Sequence, residues 1–296
     1  MTRKDVTFLS GDLKLAGHLY VPENHKYKLP AIITVHPFGG VKEQTAGVYA
    51  EQLSKELGYI ALAFDRRHQG SSEGEPRQLE DSYGMIEDIK SAVTYLYTLD
   101  LVDPARIGVL GICAGGGYAL AAASLDPRIK AVATVSGVDL GGFIRTIPKE
   151  TLDGIIAQGA QARIQYARGG EVQYLPIVPK KEDINKDTTD LMKEGSDYYL
   201  TPRGGYPTSI NRTAAWSYDL MAQYNSFSFL DWISPRATLL IAGTKADTLR
   251  YSEEAYKLAK EPKELFLVED ATHIELYDRG VPQCVPKLKD FYGHQL

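Results

Sequence analysis

The sequence predicts an α/β fold, a mainly parallel, doubly wound sheet with a helical cap inserted between two of its core strands. Three observations predict it. Short, continuously apolar runs alternate with amphipathic helical patterns, the rhythm of strand–helix crossover units. That rhythm breaks at about residue 139 and resumes at about 235. Between two of the runs stands Gly111-Ile112-Cys113-Ala114-Gly115, a glycine-flanked turn from a strand into a helix.

Taken in order, Val6-Thr7-Phe8-Leu9 and residues 13–21 read as strands joined at Ser10-Gly11-Asp12, a hairpin signal. A polar loop follows over 23–29. Ala31-Ile32-Ile33-Thr34-Val35 is apolar throughout, as expected of a parallel strand buried on both faces. It leads into His36-Pro37-Phe38-Gly39-Gly40. Residues 44–57 carry helical spacing at Val48, Leu53 and Leu57, with Gly58 placed to end the helix. Residues 60–64 form the next strand and run into a polar loop over 65–72. Residues 79–99 read as a long amphipathic helix with Met85, Ile89, Val93 and Leu96 on one stripe. Ile107-Gly108-Val109-Leu110 is the strand before the Cys113 turn, residues 118–125 the helix after it, and residues 131–135 another buried strand.

The insertion, 139–234, shows no convincing buried strand. Helices are expected at 152–166, 188–199 and 211–224. The strand pattern returns at 238–242 and 265–268, with helices at 252–260 and 285–292. The domain reading is a core of 1–138 and 235–296 with a cap of 139–234. The cap should cover the carboxyl ends of the strands, where open α/β sheets bind ligands.

Composition narrows the function. Net charge is −5 across 296 residues, and 33 basic and 38 acidic residues are mixed along the chain. No basic tract points to nucleic acid and no apolar run is long enough to span a bilayer. The opening MTRKDVTFLS is not an apolar leader, and the only cysteines are Cys113 and Cys284. A cytoplasmic, reducing compartment is therefore expected, with no disulfide framework. No histidine pair stands at i, i+4, so no metal site is expected. Gly115-Gly116-Gly117-Tyr118 lacks the Lys-Ser/Thr of a phosphate loop, and the turn comes too late in the chain for a dinucleotide fingerprint. No cofactor is expected.

The turn has the form of a nucleophile elbow, whose strained tip lifts a side chain above the sheet. Its tip is Cys113, where a serine is usual; a buried structural cysteine is the competing reading. A cysteine nucleophile needs a base, and the base needs an orienting group. Asp247 follows the first strand after the cap and His273 follows the last strand, which supplies the chain order nucleophile, acid, histidine. Asp139 is a reserve acid. Oxyanion donors are expected from the backbone N–H of Ala114 and of Phe38. His36 reads as a structural residue of the Phe38 turn. A Cys113 paired with His273 is expected to hold its pKa below the ~8.5 of a free thiol and to alkylate faster than Cys284.

These residues, in this order, resemble the α/β-hydrolase superfamily over nearly the whole chain. The cysteine elbow is similar to that of dienelactone hydrolase, whose triad is Cys–Asp–His. HPFGG, GICAGGGY and the tyrosine-rich insertion are more similar to the dienelactone-hydrolase-like or peptidase S15-like group, which includes fungal polyketide acyltransferases and thiohydrolases. The resemblance implies an enzyme that cleaves an ester, lactone or thioester through Cys113, with His273 as base and Asp247 orienting it. Passing the acyl group to an alcohol or amine would make it an acyltransferase. A non-catalytic binding protein on this fold would be marked by a missing triad member, and none is missing.

The expected partner is a small-molecule acyl substrate; a homodimer is among the open oligomeric states. The cap gathers Tyr166, Tyr174, Tyr198, Tyr199, Tyr206, Trp216, Tyr218 and Tyr224. Rings with polar tips suit an apolar pocket that still forms hydrogen bonds. Tyr166, Tyr198, Trp216 and Tyr218 are the expected substrate contacts.

Overall fold

The structure, a computed structural model, describes residues 1–23 and 27–296. The polar loop read at 23–29 lies partly outside the described residues. The chain opens with a hairpin, β1 (Thr2–Ser10) and β2 (Leu13–Val21), turning at Gly11 where φ is +59°. Strands and helices then alternate: β3 (Leu29–Val35), α1 (Thr45–Leu57), β4 (Ile60–Phe64), α2 (Ser82–Tyr97), β5 (Val102–Ile112), α3 (Ala114–Leu125) and β6 (Ala131–Val135). The insertion contributes α4 (Leu140–Ile144), α5 (Lys149–Ala167), β7 (Tyr174–Leu175), α6 (Asp190–Leu200), β8 (Thr213–Ala214) and α7 (Ser217–Ala222). The chain closes with β9 (Ala237–Gly243), α8 (Leu249–Leu258), β10 (Lys263–Val268) and α9 (Val281–Gln295).

One eight-stranded sheet runs in the order β1-β2-β4-β3-β5-β6-β9-β10. β2 is antiparallel to both of its neighbours, and from β4 to β10 every pairing is parallel. The apolar runs of β4, β6 and β9 are buried at every residue. Alternate side chains of one strand feed two cores. Ile33 packs with Met85, Ile89 and Val93 of α2, whereas Ile32 packs with Tyr49 and Leu53 of α1 and Leu288 of α9. No described helix is long and apolar enough to cross a membrane.

Three departures from the sequence reading have local causes. The second long helix starts later than 79, because Asp81 caps it through the Gly84 N–H while Glu80 is buried against Arg66. The helix expected at 211–224 shrinks to α7, because Thr213 and Ala214 pair antiparallel with Tyr174 and Leu175. The insertion thus carries a small ribbon of its own. The last helix begins at Val281, since Pro282 is tolerated in a first turn whose N–H groups have no helical partner.

Candidate active site

The carboxyl ends of β3, β5, β9 and β10 meet beneath the insertion, and each brings one part of the site. β5 stops at Ile112 and α3 starts at Ala114, leaving Cys113 between them at φ +55° and ψ −123°. This conformation is strained for a residue with a Cβ. The flanking glycines permit it. A Cβ on Gly111 would stand 2.2 Å from the Gly115 carbonyl oxygen, and one on Gly115 would stand 2.4 Å from that of Val35. The turn is pinned by the Cys113 carbonyl, which accepts from Gly116 and Val138, each at 2.9 Å.

The Tyr277 hydroxyl and the backbone N–H groups of Ala114 and Phe38 lie near the Cys113 sulfur. They favour the thiolate, but desolvation outweighs them and the thiol pKa is pushed up. The expectation of a lowered thiol pKa is thereby corrected for the resting site. His273, on the loop after β10, is only 2% exposed. Burial pushes its pKa down to about 3, and no neighbouring charge offsets this. Both groups are neutral at rest, without a thiolate–imidazolium pair. Cys284, buried elsewhere, is pushed up to about 11.

His273 and Cys113 line the same cavity, but the hydroxyl between them belongs to Tyr277. His273 Nε2 lies 3.0 Å from Tyr277 Oη, and Nδ1 is hydrogen-bonded to Thr248 Oγ1. Asp247, the acid expected from the sequence, does not occupy that place. Its side chain is exposed, and Oδ2 accepts from the Leu191 N–H at 3.2 Å. Thr248 is the residue before α8, and the turn from β9 faces it inward and Asp247 outward. The reserve acid Asp139 is also committed elsewhere, capping α4 through Gly142 and accepting from Ser226.

The Phe38 amide is held by a buried network. His36 Nε2 accepts from the Arg66 N–H at 3.2 Å, which leaves the proton on Nδ1, 2.9 Å from the Pro37 carbonyl oxygen. Burial holds the His36 pKa well below the usual value, so it stays neutral. The Arg66 guanidinium donates to Pro37 O at 3.0 Å and pairs with Glu80 at 2.9 Å, and the Tyr118 hydroxyl also donates to Glu80. Arg66, Glu80, Thr248 and Tyr277 were missed from the sequence, and Tyr199 was read only as one of the cap aromatics. Tyr277 alone had a local signal, standing four residues beyond His273.

The cavity over Cys113 measures about 260 Å³. The insertion supplies most of its wall, including Leu140, Phe143, Ile177, Met192, Tyr199 and Tyr218. Among the described residues no lysine, arginine, aspartate or glutamate lines it. Of the expected contacts Tyr218 alone is in the wall. Trp216 is buried in a satellite cluster with Ala162, Ala214 and Ala215, and the exposed ring of Tyr166 lies against it, with centroids 5.6 Å apart. Tyr198 faces the core, edge-on to Tyr277 at 5.3 Å, so helix geometry gives the cavity its neighbour Tyr199 instead.

Comparison with known proteins shows the family and the fold. The model of the dienelactone hydrolase family matches residues 15–171. YcjY, an uncharacterised protein of Escherichia coli strain K12, is 36% identical over all of both chains. The thiohydrolase aneE of Aspergillus aculeatus is 29% identical, over 92% of this chain and 86% of its own. Among solved structures, the hypothetical protein PA2218 of Pseudomonas aeruginosa superposes with a TM-score of 0.93 at 34% identity, over 100% of this chain and 94% of its own. The α/β hydrolase GrgF of Penicillium sp. sh18, whose curated sequence is named a polyketide transferase, gives 0.87 at 26%, over 100% and 99%.

Proposed function

Since the chain belongs to the dienelactone hydrolase family and is an α/β-hydrolase enzyme, we propose that it transfers an uncharged, apolar acyl group through a thioester on Cys113. The observation that carries this reading is the convergence of the Ala114 and Phe38 amides on the sulfur, at the floor of a cavity without charged side chains. In the reaction the sulfur bonds to the acyl carbon, and the carbonyl oxygen moves into the place between the two amides. Preorganised donors of this kind contribute on the order of 3 kcal/mol each to the transition state. His273, neutral and with Nε2 hydrogen-bonded to Tyr277 Oη, takes the thiol proton and returns it to the leaving group. Thr248 holds the ring by its Nδ1 in the role expected of Asp247.

Water is the default acceptor, which makes the activity a thiohydrolase. Transfer to an alcohol or amine is the second reading, favoured by the similarity to a fungal polyketide transferase. An acyl–cysteine is itself a thioester, so forming it from another thioester is nearly balanced in energy, whereas a simple alkyl ester has the poorer leaving group. The test compares kcat/KM for S-ethyl thiohexanoate and ethyl hexanoate, with mass mapping of the quenched enzyme. Preference for the thioester and a hexanoyl adduct on the Cys113 peptide are expected. Full activity in Cys113→Ala would end the proposal.

A further inference from the structure

The hydroxyl of Tyr277 stands where a direct contact between nucleophile and base would be. It lies 3.0 Å from His273 Nε2 and stands near the Cys113 sulfur. Its ring is 1% exposed, and the Tyr198 ring packs edge-on against it. The backbone beneath is fixed as well, because the Tyr49 hydroxyl donates to the Leu276 carbonyl at 2.7 Å. The hydroxyl is therefore not a bystander free to rotate away with its ring.

We propose that Tyr277 is a catalytic residue, relaying the thiol proton from Cys113 to His273. This rests on Cys113 being the nucleophile. In the resting site the His273 proton lies on Nδ1 and is given to Thr248 Oγ1, so Nε2 accepts from Tyr277 Oη–H. Tyr277 Oη in turn can accept from the Cys113 thiol. On attack the sulfur–carbon bond forms and the carbonyl π pair moves to its oxygen. The thiol proton passes to Tyr277 Oη, and the tyrosine proton passes to His273 Nε2. Collapse of the tetrahedral intermediate re-forms the carbonyl, breaks the bond to the leaving group and delivers the proton from His273 Nε2 through Tyr277 Oη to that leaving group. Tyrosine ends as it began, and no net charge is left on it. The neutrality of the thiol and the imidazole fits a step in which the proton moves during attack, not before it.

The test is the acylation burst with p-nitrophenyl hexanoate, whose leaving group needs no proton, followed from pH 6 to 10.5. Tyr277→Phe keeps the ring and removes only the hydroxyl. At neutral pH its burst rate should fall by about 10²–10⁴-fold, the range typical of a lost proton-transfer partner. The deficit should shrink as pH rises, because a thiol ionised by the solvent no longer needs the relay. A loss of the same size at every pH, or a rate within about twofold of wild type at pH 7, would overturn the relay. Should the variant not fold, site-specific 3,5-difluorotyrosine at position 277 keeps ring and hydroxyl and changes only acidity. A severalfold change in burst rate supports the relay, and an unchanged rate overturns it. No wild-type burst, or no hexanoyl group on Cys113, would instead mark failure of the nucleophile assignment.

Discussion

Arg66 donates to the carbonyl oxygen of Pro37 at 3.0 Å, one residue before the amide that faces the Cys113 sulfur. The same guanidinium is paired with Glu80, and both side chains are fully buried. One planar fork thus ties the loop after β3 to the start of α2.

Lysine at position 66 keeps the charge but offers a point donor, which cannot serve Glu80 and Pro37 together. Arg66→Lys should fold with a loss of about 1–3 kcal/mol, the cost of leaving a buried polar group unsatisfied. Its kcat should fall roughly tenfold, a fraction of the 10²–10³ that removal of an oxyanion donor costs. KM should change little. Denaturant melts and steady-state kinetics check this, and wild-type kcat in a destabilised protein would separate Arg66 from the oxyanion site.

The partner of His273 Nδ1 is a hydroxyl, so the orienting role is open to direct comparison. Thr248→Val is nearly isosteric and leaves the ring nitrogen without a partner. It should lower kcat/KM by about 10–100-fold, in line with the loss of a group that orients a reactive imidazole. Asp247→Asn should stay within a few-fold of wild type, since its carboxylate is exposed and meets the Leu191 amide. The reverse order of effects would return the orienting role to Asp247.

Burial of His273 makes two statements about pH. Its folded pKa of about 3 lies below the unfolded value of 6.5. Between these values the unfolded chain binds the proton and the folded one does not. The stability linked to His273 is therefore complete above pH 6.5 and is lost as pH falls toward 3. Over that window His273→Gln should show a stability curve shallower by up to about 1.4 kcal/mol per pH unit. Activity, by contrast, should run through pH 6.5 without an ionisation, because the imidazole is neutral on both sides of it. A kcat/KM limb at pH 6–7 would mean that the histidine titrates in the working enzyme.

Much of the fold was legible because parallel strands buried on both faces read as unbroken apolar runs. β3, β4, β6 and β9 announce themselves in this way. The Cys113 turn was legible because its demand for glycine is local. The partners of His273 were not, since one residue of turn geometry decides whether position 247 or 248 faces inward. Two-residue strands carry no periodicity, so β8 passed for the start of a helix and β7 went unread. Arg66 looked like an ordinary loop cation, because its burial depends on Glu80 and Tyr118 arriving from elsewhere in the chain.

The aromatic residues of the insertion divide into wall and packing. Tyr218→Ala opens the cavity beside Phe143 and should move the preferred acyl chain toward greater length, with little change in melting temperature. Trp216→Ala leaves a void in a satellite cluster and should cost about 3–5 kcal/mol without changing the preference. A chain-length series on both variants, with thermal melts, distinguishes them. A preference shift in the Trp216 variant alone would invert this division.

Gly39, at φ +68°, takes the chain out of the turn that presents Phe38. A Cβ on it would lie 2.4 Å from Ile177 Cδ1, and its carbonyl accepts from Ser209 Oγ at 2.9 Å. Gln44, close by, donates to the Gly204 carbonyl at 2.7 Å. The insertion and the loop that carries the Phe38 amide therefore interlock as one unit, and under the proposed mechanism a swing of the insertion that admits substrate should slacken the amide that would bind the oxyanion. Amide hydrogen exchange should then report the two segments, 37–44 and 204–209, opening together, with ligand slowing both by the same factor.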